Sequence, residues 1–219
     1  GITGINALAS VINTQMKLPI DNYVMITMEG FKEAVDAMGG VEVTIDETIT
    51  FSEEDIMEPG TYLLNGDRAE LFVRWRGYSD ADIGRMNVQR YFISGLIKKL
   101  DSLTTVEMIS LVRSLYKYVE SDLTVDEMIT LASNVKSMST SDMTLLRVPG
   151  EGVNGYGSMQ LSVYSVHAEE LADLLNTYMR PYSDPVPASE LEVVEIQNTS
   201  STWDDPNVAT LDEYEGSGG

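Results

Sequence analysis

The sequence predicts an α/β fold in which helices pack on a β-sheet. Three observations carry this. Residues 1–45 alternate helical and extended patterning, in the order helix, strand, helix, strand. Residues 83–138 hold three successive helical periodicities. Extended runs then return after residue 143, and one more helix follows them.

Ile5, Leu8, Ile12 and Met16 recur at three- and four-residue spacing, so the chain opens with an amphipathic helix that ends before Pro19. Tyr23–Met28 reads as a strand. Phe31, Val35 and Met38 mark one face of a short helix, which Gly39-Gly40 stops. Val41–Ile45 alternates with period two, the mark of a half-buried strand. Residues 46–66 read as loop, with turns at Pro59-Gly60 and Asn65-Gly66 around a short extended Thr61–Leu64. Helices follow over Asp67–Trp75, Ile83–Leu100, Thr105–Tyr118 and Thr124–Met138. Met143–Val148 and Met159–Val163 read as strands separated by a Gly-rich turn region, and Ala168–Met179 as the closing helix. After Arg180 there is no Lys or Arg, so the chain divides into a folded part, 1–182, and an acidic Pro/Gly/Ser-containing tail, 183–219. Within that tail Leu191–Ile196 has the pattern of an edge strand.

The 219 residues carry 14 Lys and Arg against 35 Asp and Glu, a net charge of −21. A phosphate backbone meets net repulsion from such a chain, which argues against nucleic acid as a partner. Zero cysteines exclude disulfides, thiolate metal sites and cysteine nucleophiles. The single histidine, His167, weakens any Ser-His-Asp reading and is expected at the surface or as a helix cap. No run reaches the roughly 20 apolar residues of a membrane span.

Positive charge is scarce, so its placement carries information. Arg68, Arg74, Arg76, Arg85, Arg90, Lys98 and Lys99 place seven of the 14 basic residues within one short segment. Only Glu70, Asp80 and Asp82 oppose them there. The guanidinium fork matches phosphate oxygens two at a time. Arg74 and Arg76 share a face if the chain there is extended; Arg85 and Gln89 share a face of the predicted helix. Asp82 sits at that helix's start, where it can cap backbone N–H groups or orient an arginine, and the start itself favours a phosphate. The residues alone leave two readings open: these groups converge on a diphosphate, or the arginines form surface ion pairs with the abundant carboxylates.

A longer pattern bears on that choice. Arg74-Trp-Arg76, then Asp82-Ile-Gly-Arg85, then Gln89 resembles the R-x-R … D-x-x-R-x-x-x-Q pattern of the LytR-CpsA-Psr family, also described as the cell envelope-related transcriptional attenuator domain. Asp36–Val43, Pro19–Val24, Gly60–Gly66, Ser121–Thr124 and Leu146–Gly150 are similar to further landmarks of that family, in order, over roughly residues 1–180.

The resemblance implies an α/β/α sandwich around a central mixed sheet, with a hydrophobic tunnel for lipid. It implies a phosphotransferase that moves teichoic acid, capsule or a related glycopolymer from a polyprenyl-pyrophosphate carrier to peptidoglycan. It also implies Mg²⁺, a membrane anchor, and a place on the extracytoplasmic face of a bacterial membrane or in its wall. Carried over residue by residue, Arg74, Arg76, Arg85 and Gln89 hold the pyrophosphate and Asp82 supports the arginines. The family usually continues R-x-x-R-Q-Q; here Val88 stands for the second arginine and Arg90 for the second glutamine, which leaves Arg90 as a further substrate contact. The family's first strands, anchor and Mg²⁺-ligating aspartates have no counterpart before Gly1. The reading therefore expects the N-terminal part of the domain to be lacking, the metal ligands to be unidentified, and this chain alone to be inactive. A non-catalytic module binding polyprenyl pyrophosphate or wall polymer is the alternative. Trp75 is expected in a buried strand, Glu53-Glu54-Asp55 as a solvated charge run, and most methionines as core filling.

Overall fold

The structure, a computed structural model, describes residues 2–75, 83–196 and 208–210. They fall into two compact units. One is built on residues 24–145 with 209 and 210, the other on residues up to 23 together with those from 146 to 208.

α1 (Ile2–Gln15) belongs to the second unit. The first begins at β1 (Val24–Ile26), which pairs antiparallel with β6 (Val119–Ser121). Thr27 then starts α2 (Met28–Ala37), its hydroxyl accepting from the Gly30 amide at 3.1 Å. At the far end Gly39 and Gly40 take φ of 78° and 98°, a left-handed pair that glycine adopts without Cβ strain. The Gly40 amide donates to Val35 O at 2.9 Å, and the chain turns at once into β2 (Val41–Ile45).

In β2 the buried residues are Val41, Val43 and Ile45, as the period-two pattern requires. The strand pairs antiparallel with β5 (Gly60–Leu64), Val41 opposite Leu64 and Ile45 opposite Gly60. Between them β3 (Ile49–Ser52) and β4 (Asp55–Met57) form a hairpin where the sequence suggests loop. Strands of four and three residues are too short to display a period.

Next come α3 (Gly66–Arg74) and the 20-residue α4 (Ile83–Ser102). α5 (Thr105–Leu115) and α6 (Val125–Lys136) each open on a capping box, Thr104 with Glu107 and Thr124 with Glu127. α2, α3, α4 and α5 pack around Phe72, Val35, Val41, Val43, Ile49, Val88 and Phe92, all buried. Phe31 and Phe92 meet with ring centroids 5.3 Å apart.

The α/β class is as expected, but the strands are arranged more simply than one central mixed sheet. The described strands make five two-stranded ladders, and every ladder whose direction is assigned is antiparallel. At β2, α4 comes close to the strand's backbone: a Cβ on Gly95 would stand 2.1 Å from the Glu42 carbonyl oxygen.

In the second unit, β8 (Gly150–Tyr156) pairs antiparallel with β9 (Leu161–Val166). Glycines at 150, 152 and 155 had marked β8 as turn, yet a backbone ladder needs no side chains. α7 (Ala168–Leu174) runs on into a π-helical turn, Leu175–Met179. Arg180 is buried; its guanidinium donates to the carbonyls of Met16 and Lys17 and to Asn176 Oδ1. The Glu192 amide donates to Gln15 O at 2.9 Å, and Leu191 is buried beside Leu171 and Leu175. The stretch just after residue 182 is therefore packed as far as it is described, and Leu191–Ile196 runs extended without a ladder of its own. β7 (Thr144–Leu146) and β10 (Val208–Thr210), which pair with each other, fall mainly in the first unit.

Candidate functional site

α3 and α4 carry the described members of the arginine and glutamine set. Asn65 caps α3, its side-chain oxygen accepting from the Arg68 amide at 2.9 Å. The Gly66 amide donates to Asp36 Oδ1 at 2.8 Å, which ties the start of α3 to α2. Phe72 and Ala69 bury the inner face of α3. This leaves Arg74 as its last residue, on the outer face.

Arg74 is helical rather than extended, so the face-sharing geometry expected of Arg74 and Arg76 in a strand does not apply. Its guanidinium donates to Glu70 at 2.6 Å, one turn back, with the side chain 65% exposed. Such a pair contributes little to stability, about 0.3–0.5 kcal/mol. It can therefore be exchanged for a stronger anion.

Gln89 lies on α4, and its amide nitrogen donates to the Val73 carbonyl at 3.2 Å. Carbonyls in the last turn of a helix lack intrahelical partners, and Gln89 supplies one. The contact joins α4 to the end of α3, next to Arg74. Arg85 lies one turn before Gln89 on the same helix, where i and i+4 share a face; its side chain lies outside the described residues. Arg76 and Asp82 also lie outside them.

Arg90 is 6% exposed, between buried Val88 and buried Tyr91. Val88 contributes to the core, which accounts for an apolar side chain where the family carries arginine. Arg68, another member of the basic segment, is a structural residue. It grips Asp55 with two nitrogens, Nη2 to Oδ1 at 2.7 Å, and lies 4.4 Å over the Phe51 ring. That hydrogen bonding holds the Asp55 carboxyl below its ordinary range. The Glu53–Asp55 run thus includes one residue committed to packing. Trp75, expected in a strand, instead follows α3 and tilts against Phe51 at 5.2 Å.

A second polar group on α4 went unread in the sequence, since its members lie 45 residues apart. The Tyr91 hydroxyl donates to Asp46, and the neighbouring Glu47 has a buried carboxyl oxygen without a partner. Burial, then the Asp46 charge, raises the Glu47 pKa. An acid whose native pKa is raised binds its proton more tightly folded than unfolded. Ionised Glu47 therefore costs stability above its native pKa, and the cost vanishes below the ordinary value of 4.5. Glu47→Gln should raise the melting temperature at pH 7 and lose that advantage near pH 4. A pH-independent difference in thermal scans would reject the titration.

In the second unit His167 occupies the N-cap position of α7 without a side-chain cap bond, 3.6 Å from Glu151 and 3.6 Å from Glu170. Among the described residues no three His, Cys, Asp or Glu side chains converge on a point that could hold a metal ion.

The sequence profile of the LytR_cpsA_psr family matches residues 1–180. The chain is 32% identical over 151 residues to the polyisoprenyl-teichoic acid–peptidoglycan teichoic acid transferase TagU of Bacillus cereus, covering 68% of this chain and 49% of that protein. It spans about half the length of that relative. Among solved structures it superposes on Bacillus subtilis TagV with a TM-score of 0.70 at 19% identity, covering 83% of this chain and 71% of the other. On B. subtilis TagT the TM-score is 0.60 at 18% identity, covering 87% of this chain and 69% of the other, and on TagT bound to LIIa-WTA it is 0.63 at the same identity and coverage. At these identities the superpositions establish the fold.

Proposed function

The chain belongs to the LytR-CpsA-Psr family, and from that premise we propose that it is part of a phosphotransferase joining a cell-wall glycopolymer to peptidoglycan. The observation that carries the proposal is the 32% identity over 151 residues to a teichoic acid transferase. The meeting of Gln89 with the end of α3 supports it, because it sets an amide beside Arg74.

The donor is a glycopolymer on a polyprenyl pyrophosphate. An acceptor hydroxyl of peptidoglycan attacks the phosphorus that bears the polymer. A phosphodiester forms, the bond to the bridging oxygen breaks, and polyprenyl phosphate leaves; the hydroxyl proton passes to solvent. Little covalent work falls to the protein, since phosphoryl transfer is catalysed mainly by positioning and charge stabilisation. Arg74, Arg76, Arg85 and Gln89 hold the pyrophosphate oxygens, Asp82 orients the arginines, and Arg90 adds buried positive charge to the same helix.

The family resemblance implies Mg²⁺, and among the described residues no cluster is suited to hold it. The protein works at the cell envelope, on the extracytoplasmic face of the membrane. No described helix is long and apolar enough to cross a membrane.

The test is binding of a short-chain polyprenyl pyrophosphate to Arg85→Ala and to Arg113→Ala, an exposed arginine on α5 away from the set. Loss of one charge-assisted contact costs roughly 1.5–3 kcal/mol, about ten- to a hundredfold in affinity. Arg85→Ala should show that loss and Arg113→Ala should not. Equal affinities would reduce the arginine set to surface electrostatics. Tight binding without polymer transfer, in the presence of Mg²⁺, would favour the non-catalytic binding module.

A further inference from the structure

The second half of α4 faces a cavity that the arginine and glutamine set does not use. Tyr91, Gly95 and Lys98 recur at four and three residues, so they form one stripe on the helix. Gly95 marks the closest approach to β2: a Cβ there would stand 2.1 Å from the Glu42 carbonyl oxygen. Beyond this contact the helix and strand leave a cavity of about 280 Å³. Lys98 and Lys99 line it from the helix, and Glu42 lines it from the strand.

Ser94 also lines the cavity, one turn before Lys98. It is 2% exposed, yet its hydroxyl has no hydrogen-bond partner. A helical serine ordinarily bonds the carbonyl four residues back. This one does not, and a buried hydroxyl left unsatisfied costs free energy that a ligand oxygen recovers.

The lining chemistry selects the ligand. Two adjacent lysines facing one cavity are notable in a chain with 14 basic residues against 35 acidic ones. Ammonium groups bind phosphate as point charges, and a serine hydroxyl donates to a phosphate oxygen. The Glu42 carboxylate repels a second phosphate but accepts from hydroxyls. The cavity is at the small end for ligand sites and is lined by Thr44, Ser94, Lys98 and Lys99 beside Leu63, so it suits one hydrophilic unit and not a lipid chain.

We propose that this cavity is a subsite for a hydroxylated phosphate ester, with the phosphate on Ser94 and Lys98 and the hydroxyls toward Glu42. The subsite is separate from the candidate transfer site. Lys98 lies nine residues beyond Gln89, about 14 Å along the helix axis at 1.5 Å per residue. It does not depend on the arginine assignment. The same chemistry occurs in a free polyol phosphate and in one repeat of a polyol-phosphate polymer.

Titration of the isotopically labelled chain with glycerol 3-phosphate, followed by amide NMR, tests the proposal. Saturable shifts centred on Ser94 and Gly95 are expected. Lys98→Gln should weaken binding about tenfold or more, the loss of one charge-assisted hydrogen bond. Ser94→Ala should weaken binding while leaving the unliganded protein as stable or more so, a combination that a merely structural serine would not give. Inorganic phosphate should bind more weakly than glycerol 3-phosphate. Binding of a glycerol-phosphate dimer as well as the monomer supports a polymer repeat; binding of the monomer alone supports a free ester. Arg74→Ala should leave the affinity unchanged, so failure of the arginine set and failure of this subsite are told apart. No saturable shift at Gly95, equal affinity in Lys98→Gln, or equal affinity for inorganic phosphate would overturn the proposal.

Discussion

Phe72→Ala should destabilise the protein by about 3–5 kcal/mol, the range for deleting a buried phenylalanine from a packed core. Phe72 is fully buried, and it anchors the helix whose last residues are Val73 and Arg74. The loss combines the missing apolar burial with the cavity left among Val35, Val41 and Val88. A whole domain is stable by only about 5–15 kcal/mol, so the variant should lie near the edge of folding. Denaturant midpoints check this, with Phe72→Leu as a partner variant that keeps most of the volume. A loss under about 1 kcal/mol for the alanine variant would show that the surroundings of Phe72 are not a packed core. Because Gln89 is hydrogen-bonded to Val73, the alanine variant should also weaken pyrophosphate binding before it unfolds.

The second large effect has the opposite origin, too much volume instead of too little. In a helix, alanine is favoured over glycine by about 1 kcal/mol. At Gly95 that preference is overridden, since the added carbon would stand 2.1 Å from a backbone oxygen of β2. Neither partner is a side-chain end that can swing away, so the helix must shift off the strand. Overpacking typically costs about 1–3 kcal/mol, and a backbone-to-backbone clash belongs at the top of that range. Gly152→Ala is the control, because nothing stands within 4 Å of its would-be Cβ. Equal melting temperatures for the two variants would mean that α4 and β2 are not in contact.

The sequence made the long regular elements legible, and the reason differs from place to place. α4 shows in a 20-residue span with apolar residues at helical spacing. β2 shows because one face is buried and the other is not, so Val41, Val43 and Ile45 alternate cleanly. The β3–β4 hairpin does not show, because its strands are shorter than the pattern needed to recognise them. β8 was hidden by its glycines, although Gly150 at φ 156° sits where an added Cβ would stand 2.2 Å from Ser165 O, so the small residue is what lets the strands close.

The candidate site was legible as a composition and less so as a geometry. Clustering of arginines in an acidic chain is visible without coordinates. What each arginine touches is not. Arg68 is spent on Asp55, thirteen residues earlier, and Arg74 on Glu70. Gln89 could be singled out by its spacing from Arg85, but its bond to a main-chain carbonyl sixteen residues away leaves no mark on side-chain pattern. The same holds for Tyr91 with Asp46 and for the unsatisfied Ser94 hydroxyl, which are properties of packing alone.

The clamp of Arg180 on Met16 and Lys17 has a consequence for the order in which the molecule is made. Most of one unit lies in the unbroken run 24–145, which has emerged before residues 146–208 are synthesised. The other unit is assembled from residues on both sides of that run. α1 is translated before residues 24–145, yet the guanidinium that holds the carbonyls behind it arrives more than 160 residues later. During that interval a helix without a single charged residue, Ile2–Gln15, lacks Glu192 on its Gln15 carbonyl and Arg180 on the carbonyls behind it. At roughly 5–20 residues per second, that wait is on the order of ten to thirty seconds. Residues 24–145 therefore emerge, and can fold, before the Arg180 clamp on the carbonyls behind α1 exists.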